Sequence, residues 1–117
     1  MKILKFEDLI AWQKSQDLAV GIYSEFNQLK DFDFRSQIRR ATVSISNNIA
    51  EGFDRRSKPD FARFLLIALA SCSEVRSMLY LAVRLDYISI ERQRILMQQT
   101  SEISRIITGL IKVLKKN

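Results

Sequence analysis

The side chains best placed for chemistry in this 117-residue sequence are basic ones set in short groups. Arg39 and Arg40 stand together, Arg55, Arg56 and Lys58 crowd the run DRRSK, and Lys112, Lys115 and Lys116 gather near the C-terminus. Guanidinium forks and ammonium points are the groups that hold phosphate oxygens. A second constellation lies in QIRRATVSISNNIAEG, from Gln37 to Gly52. Plotted as a helix at about 100° per residue, Phe34, Ile38, Ala41, Ile45 and Ile49 make an apolar stripe. Gln37, Arg40, Ser44, Asn48 and Glu51 make a polar seam beside it. Ser and Asn cost helix propensity because they compete for backbone hydrogen bonds, so helix stability did not select them. The seam suits a hydrogen-bond network that fixes helix register, with Glu74 on a later segment as partner, and Asn48 is then expected to be buried and bonded. A ligand or nucleic-acid surface is the other reading of the same residues.

Other chemistry finds less material. The sequence has no histidine, which removes the commonest metal ligand and the usual general base at neutral pH. Gly21, Gly52 and Gly109 are isolated, so no glycine-rich phosphate cradle exists. Ser44 and Ser71 have no recognisable base, and Glu51 and Glu74 are better matched to Arg40 or Asn48 than to each other. Cys72 is the single cysteine and falls in an apolar register, as a small buried hydrophobe does. No catalysis, metal or cofactor is expected. Tyr23, Tyr80 and Tyr87 are scattered and Trp12 lies in core register, so readout of bases by aromatic stacking is not expected either.

The elements that position these groups are helices. One proline and three glycines are too few for a fold rich in turns. Periodicity predicts helices over about 6–29, 34–52, 58–86 and 89–115. In the first, Leu9, Trp12, Ala19, Tyr23 and Phe26 form one stripe, with Leu18, Ile22 and Leu29 beside it. Asp31 or Asp33 caps the second, and Gly52 reads as its stop. Ser57 caps the third, with Pro59 in its first turn and Asp60 three residues on. Its stripe Phe61, Leu65, Ala68, Cys72, Val75, Leu79, Ala82 suits bundle packing. Ser89 starts the fourth, which ends rich in Lys as the helix dipole favours. Short connections between long helices predict an all-α, antiparallel up-down-up-down four-helix bundle in a single domain.

Net charge is +6, carried by 19 basic and 13 acidic residues. Residues 31–58 hold six basic against four acidic, and residues 88–117 hold six against two, while residues 1–30 balance at four each. Such an excess favours polyanions, bound through backbone and shape and weakened by salt. The segment FLLIALA is apolar on every side, and Leu66, Leu69, Ile106 and Val113 fall outside the bundle seam. Other copies of the chain are expected to cover them. No window reaches the roughly 18 uninterrupted apolar residues of a membrane span, and Glu7 and Asp8 interrupt a signal peptide's apolar core, so a cytoplasmic protein without membrane contact is expected.

Four ordered blocks carry a resemblance: FEDLIAWQKSQDLAVGIY (6–23), QIRRATVSISNNIAEG (37–52), FARFLLIALASCSEV (61–75) and LDYIS (85–89). They resemble the four-helix-bundle proteins of 23S rRNA intervening sequences, the S23-like family. The accessory variability determinant proteins of diversity-generating retroelements are similar. Two positions depart from the pattern, Ala70-Ser71 where Gly-Ser is usual and Asp86 where a glycine before the tyrosine is common. The resemblance implies a homo-oligomer, a pentameric ring in related proteins. It also implies a non-catalytic accessory role on RNA, DNA or a ribonucleoprotein partner such as a reverse transcriptase. A scaffold that binds an acidic protein partner without nucleic acid is the alternative.

Overall fold

A computed structural model describes residues 2–116. A 3-10 turn, Phe6–Asp8, precedes four helices: α1 Ile10–Glu25, α2 Phe32–Asp54, α3 Lys58–Arg84 and α4 Ile90–Lys115. Consecutive helices pack side by side and α1 closes against α4, which gives the antiparallel bundle, 47 × 22 × 20 Å. Ile22, Ile38, Ile45, Ile49, Leu65, Leu79, Ile103 and Ile107 are fully buried and form its centre. Hydroxyls caught in this core satisfy themselves: Ser15, Thr42 and Thr100 donate to the carbonyls of Ala11, Ile38 and Leu96 at 2.6, 2.7 and 2.7 Å.

The first helix is shorter than its periodicity predicts. Leu9 is extended and buried, so the chain turns there, and Phe6 meets the Trp12 ring edge-on at 5.3 Å. Gln13 secures the turn by donating to the Glu7 carbonyl. The core line of α1 runs Ala11, Ser15, Leu18, Ile22, while Tyr23 is exposed and Trp12 only half-buried. The three predicted caps hold. Asp31, Ser57 and Ser89 accept from the backbone N–H groups of Phe34, Asp60 and Arg92 at 3.1, 3.3 and 3.2 Å.

Gly52 is not the stop of α2. The helix continues through Asp54 and ends where Arg56 takes a left-handed conformation, φ 63°. What Gly52 supplies is closeness. A Cβ there would lie 2.6 Å from Phe64 Cβ, so only a glycine lets α2 and α3 approach at this level. The α3–α4 turn has the same ending. Asp86 is left-handed at φ 59°, with Tyr87 N–H on the Ala82 carbonyl and Asp86 N–H on that of Val83, a Schellman motif. This is the position where the resembling family commonly carries glycine, and the geometry explains why. Tyr87 then donates its hydroxyl to Asp31 at 2.6 Å and packs edge-on against Phe34, tying this turn to the start of α2.

Candidate nucleic-acid interface

The alternation of helices brings the C-terminal ends of α2 and α4 and the N-terminal end of α3 to one end of the bundle. Arg55, Arg56, Lys58, Lys112, Lys115 and Lys116 therefore converge, and Arg63 joins them one turn into α3. Lys58 and Lys115 border the same shallow hollow of about 430 Å³, floored by Leu66 and Leu114. The guanidinium groups are held on rings: Arg55 and Arg63 lie over Phe64 at 5.0 and 4.7 Å, and Arg56 over Phe53 at 5.5 Å. Phe53 in turn meets Phe61 edge-on, so the platform is continuous with the core. Among the described residues the one ion pair at this end is Arg63–Asp60, at 3.7 Å and exposed. The remaining cations face solvent, where field adds across a cluster.

Arg39 and Arg40 do not belong to this cluster. Sixteen residues of helix separate Arg39 from Arg55, about 24 Å at 1.5 Å per residue. They border a second feature, an open furrow of about 800 Å³ along the outer face of α2. Arg39 lies over Tyr23 of α1 at 4.4 Å, and Arg35 over Phe32 at 4.6 Å. Arg39 Nε is buried with no hydrogen-bond partner. Arg35 also donates to the Leu29 carbonyl at 3.1 Å, which pins it to the α1–α2 connection.

The polar seam crosses from α2 to α3 at two points. Ser71 donates to Ser44 Oγ at 3.0 Å, and Gln37 to Glu74 at 3.5 Å. Asn48 is bonded, to Ser44 O and Oγ at 2.8 and 2.9 Å, but within its own helix and only half-buried. Arg40 does not pair with Glu51 or Glu74; it donates to Ser36 Oγ at 3.3 Å, one turn back. Glu51 is exposed on the furrow wall. The seam is thus a surface ladder with two rungs rather than a buried network, because Ser44 and Asn48 sit where α2 leaves the α3 contact. The expectation for the outer apolar residues also divides. Leu66 and Val113 are 50% and 64% exposed, whereas Leu69 and Ile106 pack on the chain's own core. Ile67, Tyr80 and Leu81 extend the exposed apolar face of α3. Among the described residues no three Cys, Asp or Glu side chains converge as a metal cage would. Burial pushes the Cys72 thiol above its usual pKa.

The profile of the 23S rRNA-intervening sequence proteins matches residues 7–109. The chain belongs to this family. A crystal structure at 1.70 Å of a protein of unknown function from the S23 ribosomal protein family of Bacteroides thetaiotaomicron is similar to it. The two are 32% identical, with a TM-score of 0.82 over 88% of this chain and 96% of the other. No curated protein matches. The family match takes in Arg39, Arg40, Arg55, Arg56 and Lys58 and stops short of Lys112, Lys115 and Lys116. Three residues of the two basic features escape a reading of sequence alone: Tyr23, Phe32 and Arg63. Phe32 and Arg35 are three apart on one helix, a readable signal, whereas Tyr23 meets Arg39 only through the packing of α1 on α2.

Proposed function

We propose that this member of the family is a non-catalytic accessory protein that assembles with copies of itself and binds the phosphate backbone of RNA. The end cluster carries this reading: cations from three helix ends brought together, three of them arginines over aromatic rings, with one exposed ion pair at that end among the described residues. Rings that already hold a guanidinium lower the entropy lost on binding. Arg56 supports the reading further, since a non-glycine residue in the left-handed region costs about 1–2 kcal/mol, which an exposed cation–ring contact with Phe53, at about 0.5–1 kcal/mol, only partly offsets.

Assembly is supported by the outer face of α3, where Leu66, Ile67, Tyr80 and Leu81 stand exposed on a helix whose other side is already buried. A ring, five-membered in proteins this chain resembles, would repeat the cluster once per copy and turn it into a belt of positive potential. A ribonucleoprotein, including a reverse transcriptase with its template RNA, is a partner such a belt fits.

The test is binding of a structured RNA and a duplex DNA across a salt series, alongside sedimentation of the protein. Expected are affinity that falls steeply with salt, a salt slope reduced by roughly two in the Arg55→Glu/Arg56→Glu variant, and dissociation of the assembly by Leu66→Lys/Leu81→Lys. Absence of binding at low salt would sink the nucleic-acid reading and leave an acidic protein partner as the use of the charge. A monomeric wild-type protein would sink the assembly.

A further inference from the structure

Resting on that RNA reading, we infer that the furrow along α2 is a second subsite, one that seats unpaired bases of a single strand. Phe32 is 68% exposed and Tyr23 43%, and each has a guanidinium over its ring, Arg35 at 4.6 Å and Arg39 at 4.4 Å from the ring centres. A ring with a guanidinium on it offers a further planar face, and base stacking on aromatic and guanidinium planes is how proteins hold single strands without needing their sequence. The furrow also has the sign such a strand needs. Arg35, Arg39 and Arg40 line it against the single carboxylate of Glu51, an excess of two positive charges. Asn47 and Ser44 also line the furrow and offer amide and hydroxyl groups to base edges. A second copy of this chain is a poorer occupant, since it would have to bring a compensating acidic face to three arginines. A duplex is a poorer occupant too, because its bases are stacked away and unable to reach the rings. Arg39 lies about 24 Å of helix from Arg55, while the furrow itself runs on to Glu51, one turn short of the end cluster. The end cluster then grips phosphates of any polymer, and the furrow discriminates in favour of single-stranded or junction RNA.

The experiment compares the full chain with Arg39→Lys, which keeps charge and loses the plane, and with Phe32→Leu, which keeps apolar bulk at an exposed site. The probes are a short unstructured oligoribonucleotide carrying 2-aminopurine and a blunt RNA duplex of the same length. For the wild type, tighter binding of the single strand and quenched 2-aminopurine fluorescence are expected. Each variant should weaken single-strand binding about ten-fold, the value of one stacked base, with duplex affinity and salt slope unchanged. Variants within two-fold of wild type on the single strand, or equally weakened on both probes, would overturn the furrow while leaving backbone binding intact. A Phe32→Leu protein that sediments differently but binds RNA normally would show the furrow to be a contact between copies, and overturn it too. Failure of both probes to bind at low salt would remove the backbone reading and this one together.

Discussion

Alanine at Gly52 should destabilise this protein although alanine is the best helix former and Gly52 lies inside a helix. Replacing a mid-helix glycine by alanine ordinarily gains about 1 kcal/mol. At position 52 the new Cβ would stand 2.6 Å from Phe64 Cβ and 3.1 Å from Phe61 Cδ1. Carbon atoms settle at about 3.5–4.0 Å, so the gap is short by roughly 1 Å. Phe64 Cβ is bonded to its own backbone and cannot swing aside; α2 and α3 must separate. Overpacking of this kind costs about 1–3 kcal/mol, and the rigidity of the blocking atom puts the cost near the top of that range. The net loss is then about 1–2 kcal/mol, or a melting temperature lower by several degrees. Gly109 is the control, since its Cβ would meet nothing within 4 Å. Gly109→Ala should gain close to the full 1 kcal/mol or so. Denaturant and thermal unfolding of both variants would be read at one protein concentration, because association shifts apparent stability. If Gly52→Ala proves as stable as Gly109→Ala, the close approach of α2 and α3 is wrong.

Two further outcomes follow from single side chains. Tyr87→Phe should lose a stability increment that is constant near neutral pH and vanishes at both extremes. The Tyr87 hydroxyl, and after it the Phe34 N–H, hold Asp31 below its ordinary 3.8, so the carboxylate's share is present above that value and lost as pH falls through the folded one. The same bond, with a smaller share from burial, holds Tyr87 above its ordinary 10.0, so the phenol's share is present below 10.0 and lost as pH rises through the folded value. Melting curves of both proteins across pH check this, and a difference that persists unchanged into acid and base would refute it. Arg56→Gly should separate stability from function. Removing the left-handed strain at φ 63° raises or preserves the melting temperature, while RNA affinity falls; a loss of stability would mean the Arg56–Phe53 contact outweighs the strain.

The helices and their caps are legible in the sequence because their signals are local. Ser57 with Pro59 and Asp60, or Ser89 before an apolar period, states its own chemistry, and the α3 stripe repeats for six turns. What is not legible depends on a neighbour. Gly52 reads as a stop to anyone who sees only its own helix, and its purpose appears when Phe64 is set against it. Arg56 hides as a turn residue because nothing in an Arg announces a positive φ, whereas Asp86 is a type that tolerates it and stands where the resemblance expects glycine. Leu66 and Leu69 are equally apolar and equally off the heptad seam, yet one is exposed and the other packs inward, since the direction of helix rotation is set by α2 and α4. The stripe through Tyr23 is displaced for the same reason. The basic groups were visible as residues but not as places: Arg39-Arg40 and Arg55-Arg56 look like parts of one charged region until helix rise puts them about 24 Å apart.

The basic residues are not equal as witnesses to function. Lys112 and Lys115 stand in the last turn of α4, where the dipole rewards a cation by about 0.3–1 kcal/mol. Their presence is explained by the helix before any partner is considered. Lys58 stands in the first turn of α3, where the same dipole opposes it, and Ser57 and Asp60 already supply what that terminus needs. Arg56 occupies a backbone conformation that glycine would fill at less cost. Arg39 buries a donor nitrogen without a partner, which a lysine or glutamine would avoid. A residue that the fold rewards tells little about selection for binding, and one that the fold merely tolerates tells more. By that weighting, Lys58 points most directly to an anionic partner, Arg39 and Arg56 less so because each also rests on a ring, and the C-terminal lysines contribute field to a cluster they did not need a partner to join.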